Sequence, residues 1–216
     1  MVINTHYKFI FVHIPKAAGV SIMKCLSKMK GHNTRWLAKT KHETLSEFYQ
    51  EVNLRRNLAD RILGRKPQNY FRFGFVRNPW DRMSSFYRYL VEKKPRKEIH
   101  SVESFKDFLL QVRDDAPWIK TLYSMKPQVD YFTLDDNTLH IDFLGHFEHL
   151  GDDLRIIAEH IGSPLTLPHL NRSTNSQKDY RKEYDSEMIE IVARRFTDDI
   201  HHFGYTFDQP DPTNKD

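Results

Sequence analysis

A lysine, a glycine and a serine follow an apolar stretch near the start of the sequence. The stretch reads YKFIFVHI and ends at Pro15, and Lys16, Gly19 and Ser21 then lead into a helix-like segment. Such a turn brings backbone N–H groups close to an anion, and the helix N-terminus adds its positive dipole end. The order of these residues differs from the G-x-x-x-x-G-K-[ST] loop of nucleoside triphosphate-binding proteins. An ordinary strand–helix turn with an exposed lysine is the alternative interpretation.

A second cationic motif, FVRNPWDRMSSFY, follows another strand-like run. Arg77 comes directly after FRFGFV, and Ser85 lies eight residues further on, in a predicted helix. The planar guanidinium matches a phosphate bidentately, and the serine hydroxyl can complete the clamp. Arg82 is expected to be structural, and Trp80 and Tyr87 to pack in the core or at its rim. Two anion sites at adjacent strand ends indicate a ligand with two separated anionic groups.

Strands alternate with helices along the chain, which predicts an α/β fold with a central parallel sheet flanked by helices. The predicted strands are residues 7–13, 71–76 and the first part of 139–150. The predicted helices are residues 20–30, 43–62, 82–93, 104–115, 150–161 and 184–200, with loops at 95–102 and 163–184. Ser104 is a candidate N-cap and Gly162 a candidate helix stop. Ligands of such sheets bind beyond the carboxyl ends of the strands, where both motifs lie.

Length and composition set broad limits. The chain has 216 residues and a formal net charge of +4. We expect one domain over residues 1–216, with a loose tail from about residue 206. The mildly basic charge suits an anionic ligand and gives no reason to expect a nucleic-acid partner. The sequence carries no signal for an oligomeric state.

Cysteine usage and hydropathy bear on the compartment. The single cysteine, Cys25, cannot form an intrachain disulfide, which is typical of a reducing compartment. We expect it to be an inert buried thiol. No apolar run approaches the roughly 20 residues of a membrane span, and the N-terminus lacks the features of a secretory signal. A cytoplasmic protein without a membrane span is the prediction.

The two motifs closely resemble the paired cofactor motifs of sulfotransferases that use 3′-phosphoadenosine 5′-phosphosulfate (PAPS), in particular the branch with carbohydrate sulfotransferases. The resemblance continues through IDFLGHFEHLGDDLRIIAEHIG, LPHLNRS and RRFTDDIHHFGYTF, so it covers most of the chain. It implies a single-domain, P-loop-NTPase-like sulfotransferase fold. It also implies a 3′-phosphate site at Arg77 and Ser85. The implied 5′-phosphosulfate site consists of Lys16, Ala17, Ala18, Gly19, Val20 and Ser21. Ala17 departs from the pattern, because many members carry threonine there.

The resemblance implies in-line transfer of the sulfuryl group from PAPS to an acceptor hydroxyl, of a carbohydrate or a small metabolite. Lys16 is assigned to the bridging and leaving oxygens. Because the moving SO₃ group carries less charge than a phosphoryl group, lysine and backbone N–H groups suffice and no metal is required. The loop Asn171-Arg172-Ser173 is expected to close over the bisphosphate, with Lys178 a weaker candidate. An ordinary exposed loop is the alternative there.

A hydroxyl acceptor also needs a general base, and histidine is the first candidate. The sequence holds twelve histidines. In carbohydrate-type members that resemble this chain the base lies between the two motifs, which leaves His32 and His42. We select His42, with Glu43 next, and a solvated loop histidine is the alternative. His13 is expected to orient a loop by hydrogen bonding.

Two other functions stay open. A metal-dependent nucleotide phosphotransferase would need a standard phosphate loop and an acidic metal ligand after a strand. The sequence has no such loop, and Asp142 is predicted to lie inside its strand. A non-catalytic protein that retains the nucleotide pocket is the other possibility. The cluster His146, Glu148 and His149 lacks the HExxH spacing, so we predict no metal site.

Overall fold

The computed structural model describes residues 1–31, 42–55, 66–93, 97–134, 138–166 and 179–208. The chain divides into two compact units, residues 1–76 with 128–170 and residues 77–127 with 171–216. The first unit carries the sheet, and the second is helical in its described part. The prediction of one domain over the whole chain stays a prediction.

The first unit contains a four-stranded sheet in the order β1-β2-β3-β4. The strands are β1 (Val2–Asn4), β2 (Phe9–Val12), β3 (Phe71–Val76) and β4 (Phe143–His146). Strands β2, β3 and β4 are parallel, and β1 pairs antiparallel with β2 at the edge. The predicted α/β fold with a mostly parallel sheet is therefore confirmed. The sequence does not predict β1, because three residues are too few to show a period.

The strand predicted at residues 7–13 is shorter in the structure. It begins at Phe9, because residues 5–8 form the turn between β1 and β2, and Lys8 has a φ of 54°. All four residues of β2 are buried, and the rings of Phe9 and Phe11 contact Phe73 at centroid distances of 5.5 and 5.4 Å. A strand covered on both faces reads as a continuous apolar run, which is why this one was recognisable.

The described helices follow the predicted order. They are α1 (Gly19–Leu26), α2 (Leu45–Arg55), α3 (Pro79–Glu92), α4 (Phe105–Arg113), α5 (Leu150–Ile161), α6 (Ser186–Arg195) and α7 (Thr197–Phe203). Ser104 accepts a hydrogen bond from the Asp107 N–H at the start of α4, and Gly162 ends α5 with a φ of 71°. Both cap predictions are confirmed. No helix among these described residues has the length and apolar character that crossing a membrane requires.

Several predicted bounds are wrong. Helix α1 ends at Leu26 rather than at residue 30. Helix α3 begins at Pro79 rather than at residue 82, since proline suits the first helical position and Asn78 caps the Trp80 N–H. The predicted helix 184–200 is two helices, α6 and α7, separated at Phe196. The loop predicted at 95–102 contains a 3-10 helix at Lys97–Ser101. The strand predicted within 139–150 is limited to β4, and a 3-10 helix at Phe147–His149 follows it.

A buried arginine holds part of the second unit together. Arg82 is fully buried, and its guanidinium lies 3.7 Å from the Asp199 carboxylate and 5.4 Å from the Phe196 ring. It also donates a hydrogen bond to the Lys126 carbonyl at 3.1 Å. The charge of a fully buried arginine is tolerated here only because it is paired with the Asp199 carboxylate. The structural role predicted for Arg82 is confirmed.

Candidate functional site

The turn between β2 and α1 has a left-handed backbone at two residues that are not glycine. The φ angle is 69° at Lys16 and 57° at Ala18. Such angles cost on the order of 1–3 kcal/mol each and persist only where surrounding structure holds them, most often at ligand-binding loops. Surrounding structure must therefore hold this turn in its conformation.

Helix α1 presents its first amides at the end of this loop. Ala18 is the N-cap and makes no side-chain cap hydrogen bond. The helical hydrogen bonds begin with the N–H groups of Ser21 and Ile22, which donate to the Ala18 carbonyl at 3.0 and 3.2 Å. The amides of Gly19 and Val20 precede them at the positive end of the helix dipole. Lys16 and Ser21 are half-buried, whereas Val20 is exposed.

A glycine is required where the loop joins the helix. Gly19 is buried, and a Cβ built on it would overlap with Cδ2 and Nε2 of His13. The imidazole of His13, directly after β2, therefore lies against the backbone that begins α1. Only a residue without a side chain fits between them.

His42, the predicted base, lies beside the same imidazole. The ring centroids of His13 and His42 are 4.7 Å apart, with an interplanar angle of 46°. The segment continues into α2 through a capping box, in which the Thr44 N–H donates to Glu47 and the Glu47 N–H donates to Thr44. Glu43, the alternative base, is buried. The first unit thus brings His42 next to a residue that contacts the Lys16–Gly19 loop.

The second motif begins where β3 ends. Arg77 is only 8% exposed, and its Nε donates to Asp81 Oδ2 at 2.7 Å. This ion pair fixes the plane of a guanidinium that carries five N–H donors in all. Asn78 anchors the turn by donating to the Thr206 carbonyl at 2.9 Å. Ser85 lies in the second turn of α3 and is half-buried.

The chain matches the model of the sulfotransferase family over residues 1–206. It belongs to that family. An uncharacterized protein from Archaeoglobus fulgidus is 30% identical over 113 residues, which is 52% of this chain and 84% of that protein. No solved structure matches the sequence. The family match extends over both motifs described above.

Some predicted site residues of this family member lie outside the described residues. They are His32, Asn171, Arg172, Ser173 and Lys178. The described chain after residue 178 is well anchored in the second unit. Glu183 pairs with Arg88 at 2.8 Å and accepts a short hydrogen bond from Ser84, and the Tyr184 hydroxyl donates to the Trp80 carbonyl.

Asp142, the acidic residue considered for the phosphotransferase alternative, does not lie inside a strand as predicted. Asp142 precedes β4 rather than lying within it, and it forms a bidentate ion pair with Arg72, with both contacts at 2.8 Å. Hydrogen bonds from Arg72 lower the pKa of Asp142. Arg72 is the second residue of β3, so this ion pair lies at the amino ends of the parallel strands. The Lys16 loop follows the carboxyl end of β2, at the other end of these strands.

Two further sequence-based expectations concern metals and thiols. Within the described ranges, no group of three or more histidine, cysteine, aspartate or glutamate side chains could hold a metal ion. Cys25 lies on α1 and is half-buried rather than buried as predicted, and this partial burial raises the pKa of its thiol. A raised pKa lowers the fraction of reactive thiolate, in line with the inert thiol predicted for this position.

Sequence reasoning expected His13 to orient a loop but missed its contact with His42, and it missed Asp81 and Glu47 altogether. The position of His13 beside both the loop and His42 has no local sequence signal, because residues 13, 19 and 42 meet only in the folded sheet. Asp81 and Glu47 did have one. An aspartate four residues after Arg77 predicts an i,i+4 ion pair, and Thr44 with Glu47 spells a capping box.

Proposed function

We propose that this member of the sulfotransferase family transfers the sulfuryl group of PAPS to an acceptor hydroxyl by in-line displacement. The acceptor would be a carbohydrate or a small metabolite. The observation that carries the proposal is the left-handed loop at Lys16 and Ala18, which leads into the first amides of α1. When bound, PAPS supplies an activated sulfuryl group, with adenosine 3′,5′-bisphosphate as its leaving group.

The loop of residues 16–21 would hold the 5′-phosphosulfate. Its members fit this group, because the amides at the start of α1 and the Ser21 hydroxyl are donors suited to an anion. The backbone N–H donors do not depend on the side chain at position 17. Alanine in place of the usual threonine therefore removes only one hydroxyl contact. Lys16 would stabilise the negative charge that develops on the bridging and leaving oxygens. This lysine–amide arrangement is the reason that the proposal includes no metal requirement.

Arg77 and Ser85 would hold the 3′-phosphate of the same donor. The buried guanidinium, oriented by Asp81, suits a planar bidentate contact with a phosphate. Arg172 would add a further contact when its loop closes over the bisphosphate. Closure would exclude water and limit hydrolysis of the donor.

His42 is the proposed general base. It would take the proton from the acceptor hydroxyl as the oxygen attacks sulfur, while Lys16 faces the departing oxygen. Its placement one imidazole away from the Gly19 end of the loop supports this role. Glu43 is the alternative base, since carboxylates can also act in this way.

The proposal extends to the setting of the protein. The single cysteine supports a cytoplasmic location, and the family match over residues 1–206 supports one sulfotransferase domain. The modest positive charge supports an anionic nucleotide rather than nucleic acid as the partner.

Ligand-induced stabilisation tests the choice of donor. Adenosine 3′,5′-bisphosphate at a hundred times its dissociation constant is expected to raise the free energy of unfolding by about 2.7 kcal/mol. ATP at the same concentration, with or without Mg²⁺, should raise it far less, because it lacks the 3′-phosphate. Differential scanning fluorimetry measures the difference. Equal stabilisation by ATP with Mg²⁺ would contradict the proposal and favour a phosphotransferase.

Replacement of His42 tests the base. His42→Ala is expected to lower kcat by about 10²-fold at saturating donor, which is the low end of what general bases contribute. Binding of the bisphosphate, measured by titration calorimetry, should stay the same, since the base faces the acceptor. Normal turnover in this variant, with a large loss in Glu43→Gln, would move the base to Glu43.

A further inference from the structure

We propose that His13 is a positioning residue for sulfuryl transfer, which holds His42 in place relative to the loop of Lys16. This inference rests on the function proposed above. His13 directly follows β2 and is only 2% exposed. Its ring contacts groups from three parts of the first unit, namely Phe11, Gly19 and His42.

The Cδ2–Nε2 edge of the imidazole supports the loop. Cδ2 and Nε2 of His13 occupy the space where a side chain on Gly19 would stand. Gly19 follows Ala18, whose left-handed φ of 57° persists only if neighbouring structure restrains it. The rigid ring packed against Gly19 is such a restraint, so a change in the ring alters the backbone that presents the first amides of α1.

The same imidazole also supports His42. The two rings lie 4.7 Å apart, and His42 is followed within two residues by the capping box of Thr44 and Glu47. The capping box fixes the segment from the α2 side, and His13 fixes it from the strand side. Efficient proton transfer needs a base with a fixed orientation. These two supports restrict the movement of the His42 ring when the acceptor binds.

The sheet makes His13 a firm support. Its ring stacks on Phe11, with centroids 6.1 Å apart and an interplanar angle of 21°. Phe11 in turn contacts Phe73 of the neighbouring strand at 5.4 Å. The imidazole therefore sits on the sheet core, whereas Gly19 and His42 belong to the segments that carry the proposed chemistry.

The residue type itself points to a role beyond packing. Burying an imidazole costs free energy unless its nitrogens are satisfied, whereas a phenylalanine ring would fill much the same space without that cost. A position after a strand that needed packing alone would favour the apolar ring. In this proposal His13 takes no proton from the substrate, and it acts through His42 and the loop.

A double-mutant cycle tests the proposal. His13→Phe is expected to lower kcat by about tenfold or more with little change in the donor KM. In a His42→Ala background, the same change should lower kcat by clearly less, because only its effect through the loop is left. His160→Phe is the matched control, since His160 stacks on Phe71 in the same unit but is exposed, and its replacement should leave kcat unchanged. Equal losses in both backgrounds would overturn the positioning role.

Two further measurements cover the case in which His13→Phe does not fold. Gly19→Ala should push the His13 ring away and lower kcat similarly, whereas Gly151→Ala, where nothing lies within 4 Å of the added Cβ, should not. In the wild-type protein, nuclear Overhauser contacts between the two imidazole rings should persist with bisphosphate bound. Full activity in Gly19→Ala, or absence of these contacts, would overturn the inference.

The outcomes separate this inference from the proposed function. If wild-type protein binds the bisphosphate but transfers no sulfuryl group to any acceptor, the proposed function fails, and the ring contacts still report on the geometry. If wild-type protein transfers the group and the cycle is additive, the function stands and the role of His13 is overturned.

Discussion

Lys16→Ala is expected to lower kcat of sulfuryl transfer by about 10²- to 10³-fold, the range seen when one preorganised group that stabilises transition-state charge is removed. The dissociation constant of adenosine 3′,5′-bisphosphate should change far less. Lys16 would stabilise the negative charge that develops as the S–O bond breaks. The backbone amides of α1 would hold the phosphate equally in the ground state and in the transition state. Single-turnover kinetics with labelled PAPS, beside calorimetric binding of the bisphosphate, measures the two quantities separately.

The choice of alanine matters at this position. Lys16 has a φ of 69°, so glycine would relieve backbone strain and change the loop, whereas alanine keeps a Cβ and therefore the same strain. Lys24→Ala is the matched control, because Lys24 is an exposed lysine in the last turn of α1. Its replacement should leave both kcat and binding unchanged. Full turnover in Lys16→Ala would contradict the assigned role.

Arg77→Ala is expected to raise the dissociation constant of adenosine 3′,5′-bisphosphate by about 10- to 100-fold, as the loss of a charge-assisted bidentate contact should. At saturating donor, kcat should stay close to the wild-type value, because the guanidinium meets the phosphate remote from the reacting sulfur. Titration with adenosine 5′-monophosphate separates the two ends of the ligand. That nucleotide lacks the 3′-phosphate, so its affinity should not depend on Arg77.

Arg194 provides a close control for this substitution. Arg77 and Arg194 each pair through Nε with a carboxylate four residues away along the chain, in both cases at 2.7 Å. Arg194 is 79% exposed on α6, whereas Arg77 is buried at the start of its motif. Arg194→Ala should therefore leave nucleotide affinity unchanged. Equal weakening of bisphosphate and monophosphate binding by Arg77→Ala would contradict the 3′-phosphate assignment.

The parts of the fold that could be predicted are those with strong local signals. Strand β3 has the predicted bounds because FRFGFV is rich in aromatic and β-branched residues and is followed at once by Arg77, Asn78 and Pro79. Helix α5 also has its predicted bounds, since acidic residues begin it and Gly162 ends it. Boundaries set by the surrounding chain could not be predicted in this way. The start of β2 depends on the turn at Lys8, which exists because β1 pairs with β2.

The candidate site likewise contains residues that could be predicted from the sequence and contacts that could not. The residues that would contact an anion were recognisable because their types and order resemble a family motif, and the family match over residues 1–206 supports that resemblance. The contact between His13 and His42 and the backbone conformation of the loop were not recognisable. His13 and His42 are far apart in the sequence and contact each other only in the folded protein. Lysine and alanine at positions 16 and 18 do not indicate a left-handed backbone.

The location of Asp142 illustrates how tertiary structure separates two functions. A metal-dependent phosphotransferase would place an acidic ligand at the carboxyl end of a strand, near the phosphate loop. Asp142 instead precedes β4 and is paired with Arg72 at the amino ends of the strands. This arrangement accounts for Asp142 as a structural ion pair and favours the sulfotransferase proposal over that alternative.

A crystal structure with adenosine 3′,5′-bisphosphate is the most direct test of how the donor is held. We expect the 5′-phosphate to accept hydrogen bonds from the amides that begin α1, with Lys16 beside its bridging oxygen, and the 3′-phosphate to contact Arg77 and Ser85. A nucleotide bound with either phosphate directed away from its assigned cation would contradict the account.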